Sequence, residues 1–223
     1  FNYEPSLNSS VALIQIDDQS KKESGLDLWP YDYYTEILKK IDTTNTVGND
    51  IMFTLSLDTK GWEGLIKVML IEGSKIISPY MLEYGNIDQK VDRDEHEGIL
   101  MHSDILPLVE EGMLPHVSDI PYKTGGVNPD LLMLSSGVGY SNIIPDNDGV
   151  LRRLPIVSEL DGHIAPHFFL RVLASYADWD LKNMVLENSH KLVLQKFRVN
   201  GQLKDIEIPL DGNGNMIVNY ISA

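Results

Sequence analysis

Two adjacent carboxylates, Asp17 and Asp18, follow a short apolar run, Val11 to Ile16. If that run is a buried strand, the pair stands at its carboxyl end, where open α/β sheets bind ligands. The competing use is structural: one acid caps the next turn and the other pairs with an arginine, and this is the preferred reading. Asp146-x-Asp148-Gly149 and Asp211-x-Asn213-x-Asn215 each match the start of a calcium loop. The twelfth position of the second is Ser222, which supplies no bidentate carboxylate. Asp, Asn and Gly bond their own backbone and accept left-handed conformations, so both segments read as turns. His96-Glu97 and His102 are residue types of a zinc helix, but a six-residue spacing puts the histidines on opposite faces. With Asp94 and Asp104 beside them, they read as part of a solvated acidic loop.

Other chemistries lack their residues. The chain has no cysteine, which excludes thiolate metal sites, disulfides and a Cys nucleophile. There is no G-x-S-x-G elbow and no phosphate loop. Gly137-Val138-Gly139 lacks the third glycine of a dinucleotide loop and does not open a helix. Eighteen Lys+Arg against 33 Asp+Glu leave a net charge of -15, so a basic nucleic-acid footprint is missing. Only five arginines are present, two of them adjacent at Arg152-Arg153, just after the Asp146–Gly149 turn. Asp50 lies in an apolar run, Val47 to Leu55, where a carboxylate would be mostly buried. The expectation is that one of the two arginines turns inward to pair with Asp50 or Asp17, slightly favouring Arg152, since strand neighbours face opposite sides.

The elements that must position these groups follow from periodicity. Pro30, after Trp29, opens a helix over about residues 31–42, with Tyr33, Tyr34, Ile37, Leu38 and Ile41 as its buried stripe. Val47 to Leu55 reads as a strand and Gly61 to Glu72 as a helix with Leu65, Ile66, Met69 and Leu70 inward. Lys75 to Ser78 is a third strand. With Val11 to Ile16, this order predicts two right-handed crossovers and a parallel core sheet. Residues 83–97 read as a solvated loop, Ser103 as the cap of a short helix reaching Glu110, and 115–128 as another loop. Asn128-Pro129-Asp130 starts a helix that Gly137 stops. Tyr140 to Ile144 and Leu151 to Val157 read as strands flanking the 146–149 turn. Pro166 starts a helix whose inner face is Phe168, Phe169, Val172, Leu173 and Tyr176. Asn200-Gly201, between Leu192–Val199 and Leu203–Leu210, is a hairpin turn because both residues accept positive φ. Met216 to Ile221 is a final strand.

Several pieces recur in a recognisable order. They are Ile14-x-Ile16-Asp17-Asp18-x-Ser20, Gly25 before Trp29-Pro30, and Gly48-x-Asp50-Ile51-x-Phe53. Gly139-Tyr140-x-Asn142 then leads into Asp146-x-Asp148-Gly149-Val150-x-Arg152-Arg153-x-Pro155, and Gly214-Asn215-Met216-Ile217-Val218-Asn219-Tyr220 ends the set. This pattern resembles the type-2 CHASE domain, an extracellular sensory domain associated with bacterial cyclases and histidine kinases. The resemblance covers the first 60 residues and 130–223. It implies a domain outside the cytoplasmic membrane, tethered by segments beyond this chain, with an intracellular cyclase, kinase or cyclic-dinucleotide module as output. Trp29-Pro30 is usually followed in that family by an aromatic and Pro-Arg. Here Tyr31-Asp32-Tyr33 follows, which removes a cation beside Asp17-Asp18.

The sequence therefore predicts one α/β domain over residues 1–223. Its central mixed sheet is parallel in an N-terminal βαβαβ part and antiparallel in C-terminal hairpins. No apolar run reaches the roughly 18 residues of a membrane helix, and the chain begins at Phe1, as expected for a piece of a longer protein. The function expected is noncatalytic sensing of an unknown small-molecule or protein ligand, without cofactor or metal, as a homodimer. Ligand-binding candidates are Asp17, Asp18, Trp29, Arg152 and Arg153, and Asp50, Asp146 and Asp148 form a structural polar cluster. The alternative is an exported hydrolase or metal-dependent enzyme using Asp17, Asp18 and Asp148. A membrane tether at both ends further predicts neighbouring termini, with Val11–Ile16 and Met216–Ile221 in one sheet.

Overall fold

Ile76-Ile77-Ser78-Pro79-Tyr80 has no alternation of apolar and charged residues, as befits a strand covered on both faces. In the computed structural model it begins β2 (Ile76–Tyr84), the centre of the parallel sheet. The residues described are 14–25, 29–41, 46–53, 59–84, 106–107, 121–125, 128–160, 163–211 and 214–219. β1 (Val47–Gly48) runs parallel to β2 at Ile76 and Ile77, and β5 (Gly137–Tyr140) runs parallel along Ile77 to Tyr80. β4 (Pro121–Gly125) runs antiparallel along Met81 to Tyr84, which makes the sheet mixed. Pro79 has no N–H to offer a neighbour. It falls between the stretches paired with β1 and β4, where the ladder does not need one. Beyond β5, the Asn142 side chain continues the ladder: its Oδ1 accepts from Leu82 N–H at 2.7 Å and its Nδ2 donates to Leu82 C=O at 2.8 Å.

Among the described residues, five α-helices accompany these strands: α1 (Asp18–Ser24), α2 (Tyr31–Lys40), α3 (Thr59–Glu72), α4 (Pro129–Leu134) and α5 (Phe168–Tyr176). In a parallel ladder, paired residues share a face. Gly48, Ile77 and Gly137 therefore line up with Pro79 and Gly139 on the side that α5 covers. Three glycines there let the helix sit close. A Cβ on Gly48 would meet Val172 at 3.0 Å, and one on Gly139 would lie 2.6 Å from the Phe168 Cα. On the other face, Leu38, Leu65, Val68, Met69, Ile76 and Leu131 pack α2, α3 and α4 together, and Tyr80, Leu82, Leu132, Val138 and Tyr140 continue the core.

The C-terminal third is antiparallel. β7 (Val157–Leu160) and β8 (His163–Pro166) form a hairpin joined by β3 (Leu106–Pro107). β9 (Met184–Asn188), β10 (Lys191–Val199) and β11 (Gln202–Pro209) form a second sheet, and β6 (Arg153–Pro155) pairs with β12 (Asn215–Ile217). Asn200 (φ 49°) and Gly201 (φ 78°) both take the left-handed region that joins β10 to β11 without splaying them. The third core, with Ile156, Leu170, Ala174, Trp179, Leu192 and Leu194, lies between α5 and this sheet.

Expectation and structure part at several points. Ile14–Ile16 form no strand and Ile14 is exposed, so residues 14–16 share no sheet with Asn215–Ile217, the described strand at the other end; residues 11–13 and both termini lie outside the described residues. The second parallel partner of β2 is β5, reached through α4. Of Val47–Leu55 only Val47–Gly48 is strand, residues 49–53 run irregularly, and the remainder lies outside the described residues. Leu106–Pro107 is strand where a helix was expected, and Pro121–Gly125 is strand in an expected loop. The expected loop at 83–97 begins with the last two residues of β2, and the rest lies outside the described residues. α4 ends at Leu134, and Gly137 opens β5 instead of stopping the helix. Ser141–Ile144 are irregular, so the 146–149 turn does not join two paired strands. Pro166 ends β8, and His167 caps α5. Three stripes rotate relative to expectation because the real partner lies elsewhere. Tyr33 and Leu70 face water while Thr35 and Val68 are buried, and in α5 Leu170 and Ala174 are buried while Phe169 and Tyr176 are exposed.

Candidate ligand-binding site

Pairing of β6 with β12 sets two polar turns side by side, one before each strand. In the first, Gly149 N–H donates to Asp146 C=O (2.8 Å) and Asp146 N–H to Val150 C=O (3.0 Å). Gly149 takes φ 80° to close it. In the second, Asp211 exchanges backbone bonds with Gly214 and Asn215, and its Oδ1 accepts from Asn215 N–H at 2.9 Å. Arg152 holds Asp148 through two contacts, Nη1 to Oδ1 at 2.9 Å and Nη2 to Oδ2 at 2.8 Å, and reaches Asp146 at 3.2 Å. Arg153 donates to Asp146 Oδ1 at 2.8 Å and places Nε 3.5 Å from Asp211 Oδ2. The Arg152 guanidinium, then the Val150 N–H, hold the Asp148 carboxyl below its ordinary range.

The two partial calcium loops are thus neighbours, and arginines occupy the carboxylates that a cation would need. Three aspartates against two arginines leave one net negative charge (3 − 2 = 1). Both guanidiniums remain half-exposed. They line an open cleft of about 540 Å³ whose walls are completed by Ile144, Pro145, Pro155 and Asn215.

This overturns the expectation of one inward arginine. Arg152 precedes β6, so strand alternation does not divide it from Arg153, and both reach Asp146. Neither is buried, and their ion pairs go to Asp146, Asp148 and Asp211. Asp146 and Asp148 do come together through the arginines, and among the described residues no ion pair joins Asp50, which follows β1, to them. Asp50 is exposed by area, yet nearby chain removes enough water to raise its carboxyl pKa. A raised folded-state pKa contributes stability below the unfolded value and loses it as pH rises through the folded one. Asp50→Asn is therefore expected to raise the melting temperature at neutral pH and to lose that advantage near pH 3, read by thermal denaturation at the two pH values.

The N-terminal candidates have local roles. Asp17 caps α1, its Oδ1 accepting from Ser20 N–H at 2.8 Å and Ser20 Oγ at 2.7 Å, and these bonds lower its carboxyl pKa. Asp18 is the exposed first residue of that helix. Trp29 Nε1 donates to Ser24 Oγ at 3.0 Å, and its ring lies 5.4 Å from that of Tyr33, anchoring the entry to α2. Among the described residues, no hydrogen bond or ion pair joins Asp17 or Asp18 to Asp148.

Sequence reading missed Asp211 as a partner of Arg153, because only pairing of β6 with β12 makes them neighbours. It also missed His167. That side chain is buried, its Nδ1 accepts from Phe169 N–H at 3.1 Å, and its ring meets Tyr140 edge-on at 5.1 Å. A histidine just before an apolar helix was the available signal.

Fold and cleft define a mixed α/β domain that presents an arginine-lined opening beside its C-terminal strand. The CHASE2 family model matches residues 1–223, the whole chain, and the chain belongs to the CHASE2 domain family. No curated protein and no solved structure matches it. CHASE2 domains are extracellular sensory domains of signalling proteins. No helix among the described residues is long and apolar enough to cross a membrane.

Proposed function

We propose that this chain is the extracytoplasmic input domain of a bacterial transmembrane signalling protein, whose output is a cyclase, a histidine kinase or a related module. It senses without catalysis and is tethered through segments outside residues 1–223. Its ligand enters the Arg152–Arg153 cleft. The observation that carries this reading is the arginine pair itself. Two half-exposed guanidiniums face an open cleft while tying the 146–149 turn to the C-terminal strand pair. A ligand carboxylate or phosphate matches the fork that Asp148 now fills. Exchange with Asp148 loosens the turn. Val218 N–H donates to Arg152 C=O at 2.9 Å, so the same residue holds the backbone of the C-terminal strand. A ligand shifts such an equilibrium only by its differential affinity for the two states.

Half-exposed ion pairs are worth about 0–1 kcal/mol each. Arg152→Met and Arg153→Met are accordingly expected to change the melting temperature little while abolishing signalling by the membrane-bound parent. Retained signalling in both variants would exclude the cleft. A run of about 20 apolar residues beyond Ala223 in the parent is the expected tether.

A further inference from the structure

The exposed side of α3 carries apolar side chains that no other described residue covers. Leu70 is 65% exposed and Ile71 73%, and Met133 on the adjoining α4 is 50% exposed. Beside them runs a groove of about 690 Å³ lined by Trp62, Ile66, Leu70, Met133 and Leu134, with Glu63, Lys67 and Asp130 among its polar walls. Large apolar side chains grouped on a surface mark an interaction site, whereas scattered ones need no explanation.

We infer that this face docks a second copy of the same chain about a twofold axis. Two features of the face select that occupant. A twofold interface requires one patch to be complementary to itself. Here the protruding groups, Leu70 and Met133, and the groove that would receive them share one surface. The charges meet the same condition. Glu63 and Lys67 stand one helical turn apart on α3. When two copies of α3 cross antiparallel about an axis midway between these positions, Lys67 of each comes beside Glu63 of the partner subunit. Charge also restricts where two copies can meet. The chain carries a net charge of -15, so copies repel over most orientations. This groove holds two acids and one base, and the opposite charges pair across the axis.

Sedimentation equilibrium of the 223-residue chain tests the inference. A reversible dimer is expected, tightening as salt rises from about 0.05 to about 0.5 M, because screening removes net-charge repulsion over a Debye length that falls below about 10 Å. Leu70→Glu is expected to weaken the dimer by at least about tenfold, and Leu203→Glu, at an exposed position on β11, to leave it unchanged. Glu63→Lys alone and Lys67→Glu alone each weaken the dimer, and the double exchange restores it. Circular dichroism of each variant verifies the fold. A monomer under all conditions overturns the inference, as does a dimer indifferent to Leu70→Glu. A dimer in which the double exchange fails to rescue overturns the proposed crossing. The arginine cleft lies on other residues, so loss of signalling in Arg152→Met with the dimer intact tells the two proposals apart.

Discussion

Gly139→Ala is expected to destabilise the domain by about 3 kcal/mol, at the upper end of what overpacking a core usually costs. The added Cβ would stand 2.6 Å from Phe168 Cα and 2.7 Å from Phe168 N, both backbone atoms at the start of α5. Backbone cannot rotate away as a side chain can, so either the helix lifts off the sheet or β5 bends. Lifting α5 also disturbs its other contacts on this face, with Gly48 through Val172 and with Gly137 through Arg171. Gly137→Ala is the internal comparison. The three atoms nearest its Cβ all belong to the Arg171 guanidinium, Nε at 2.2 Å, and that long side chain can shift at the loss of its 3.2 Å bond to Ser136 C=O. Urea denaturation should show a markedly larger drop for Gly139→Ala than for Gly137→Ala. Equal drops would mean that α5 is not seated on the sheet as described.

Acid should unfold the domain more readily through a single histidine. His167 is buried, and burial lowers its pKa from 6.5 to about 4, partly opposed by the Asn142 carbonyl. Its Nδ1 accepts the Phe169 N–H, so the neutral ring serves as the N-cap of α5, and protonation would replace an acceptor by a donor. The folded pKa lies below the unfolded one. The folded state therefore binds fewer protons, and stability falls as pH drops through the interval from 6.5 to about 4. At 1.36 kcal/mol for each pH unit, the loss accumulates to about 3 kcal/mol. Asp17 and Asp148, both with lowered pKa values, add their own losses only at lower pH, as they protonate below 3.8. His167→Asn keeps a capping acceptor and removes the titration. Chemical denaturation across this interval should show stability falling with pH in the wild type, and His167→Asn should remove that fall, leaving the opposite and smaller contribution of Asp50.

The sequence alone determined what depends on neighbours along the chain. Asn200-Gly201 turns because those residues tolerate positive φ, Asn128 caps α4 because its side chain reaches the Asp130 N–H, and Asp17 caps α1 through Ser20 in the same way. The order of short motifs sufficed for the family, and the spacing of apolar runs for an α/β fold with a mixed sheet. Tertiary structure decided which faces those elements bury. Leu70 and Val68 are equally apolar, and only the position of the sheet and α2 makes Val68 the inward one. The role of Gly137-Val138-Gly139 was likewise invisible until α5, about 30 residues on, was seen resting on it. The arginines show the same division most clearly. Strand alternation argued for one inward guanidinium, but Arg152 lies before the strand begins, Asp146 takes both side chains, and Arg153 also reaches Asp211 of the second turn. Those turns lie more than 60 residues apart in the chain, and only the pairing of β6 with β12 brings them together, because charge partners are chosen by proximity in space and not by type.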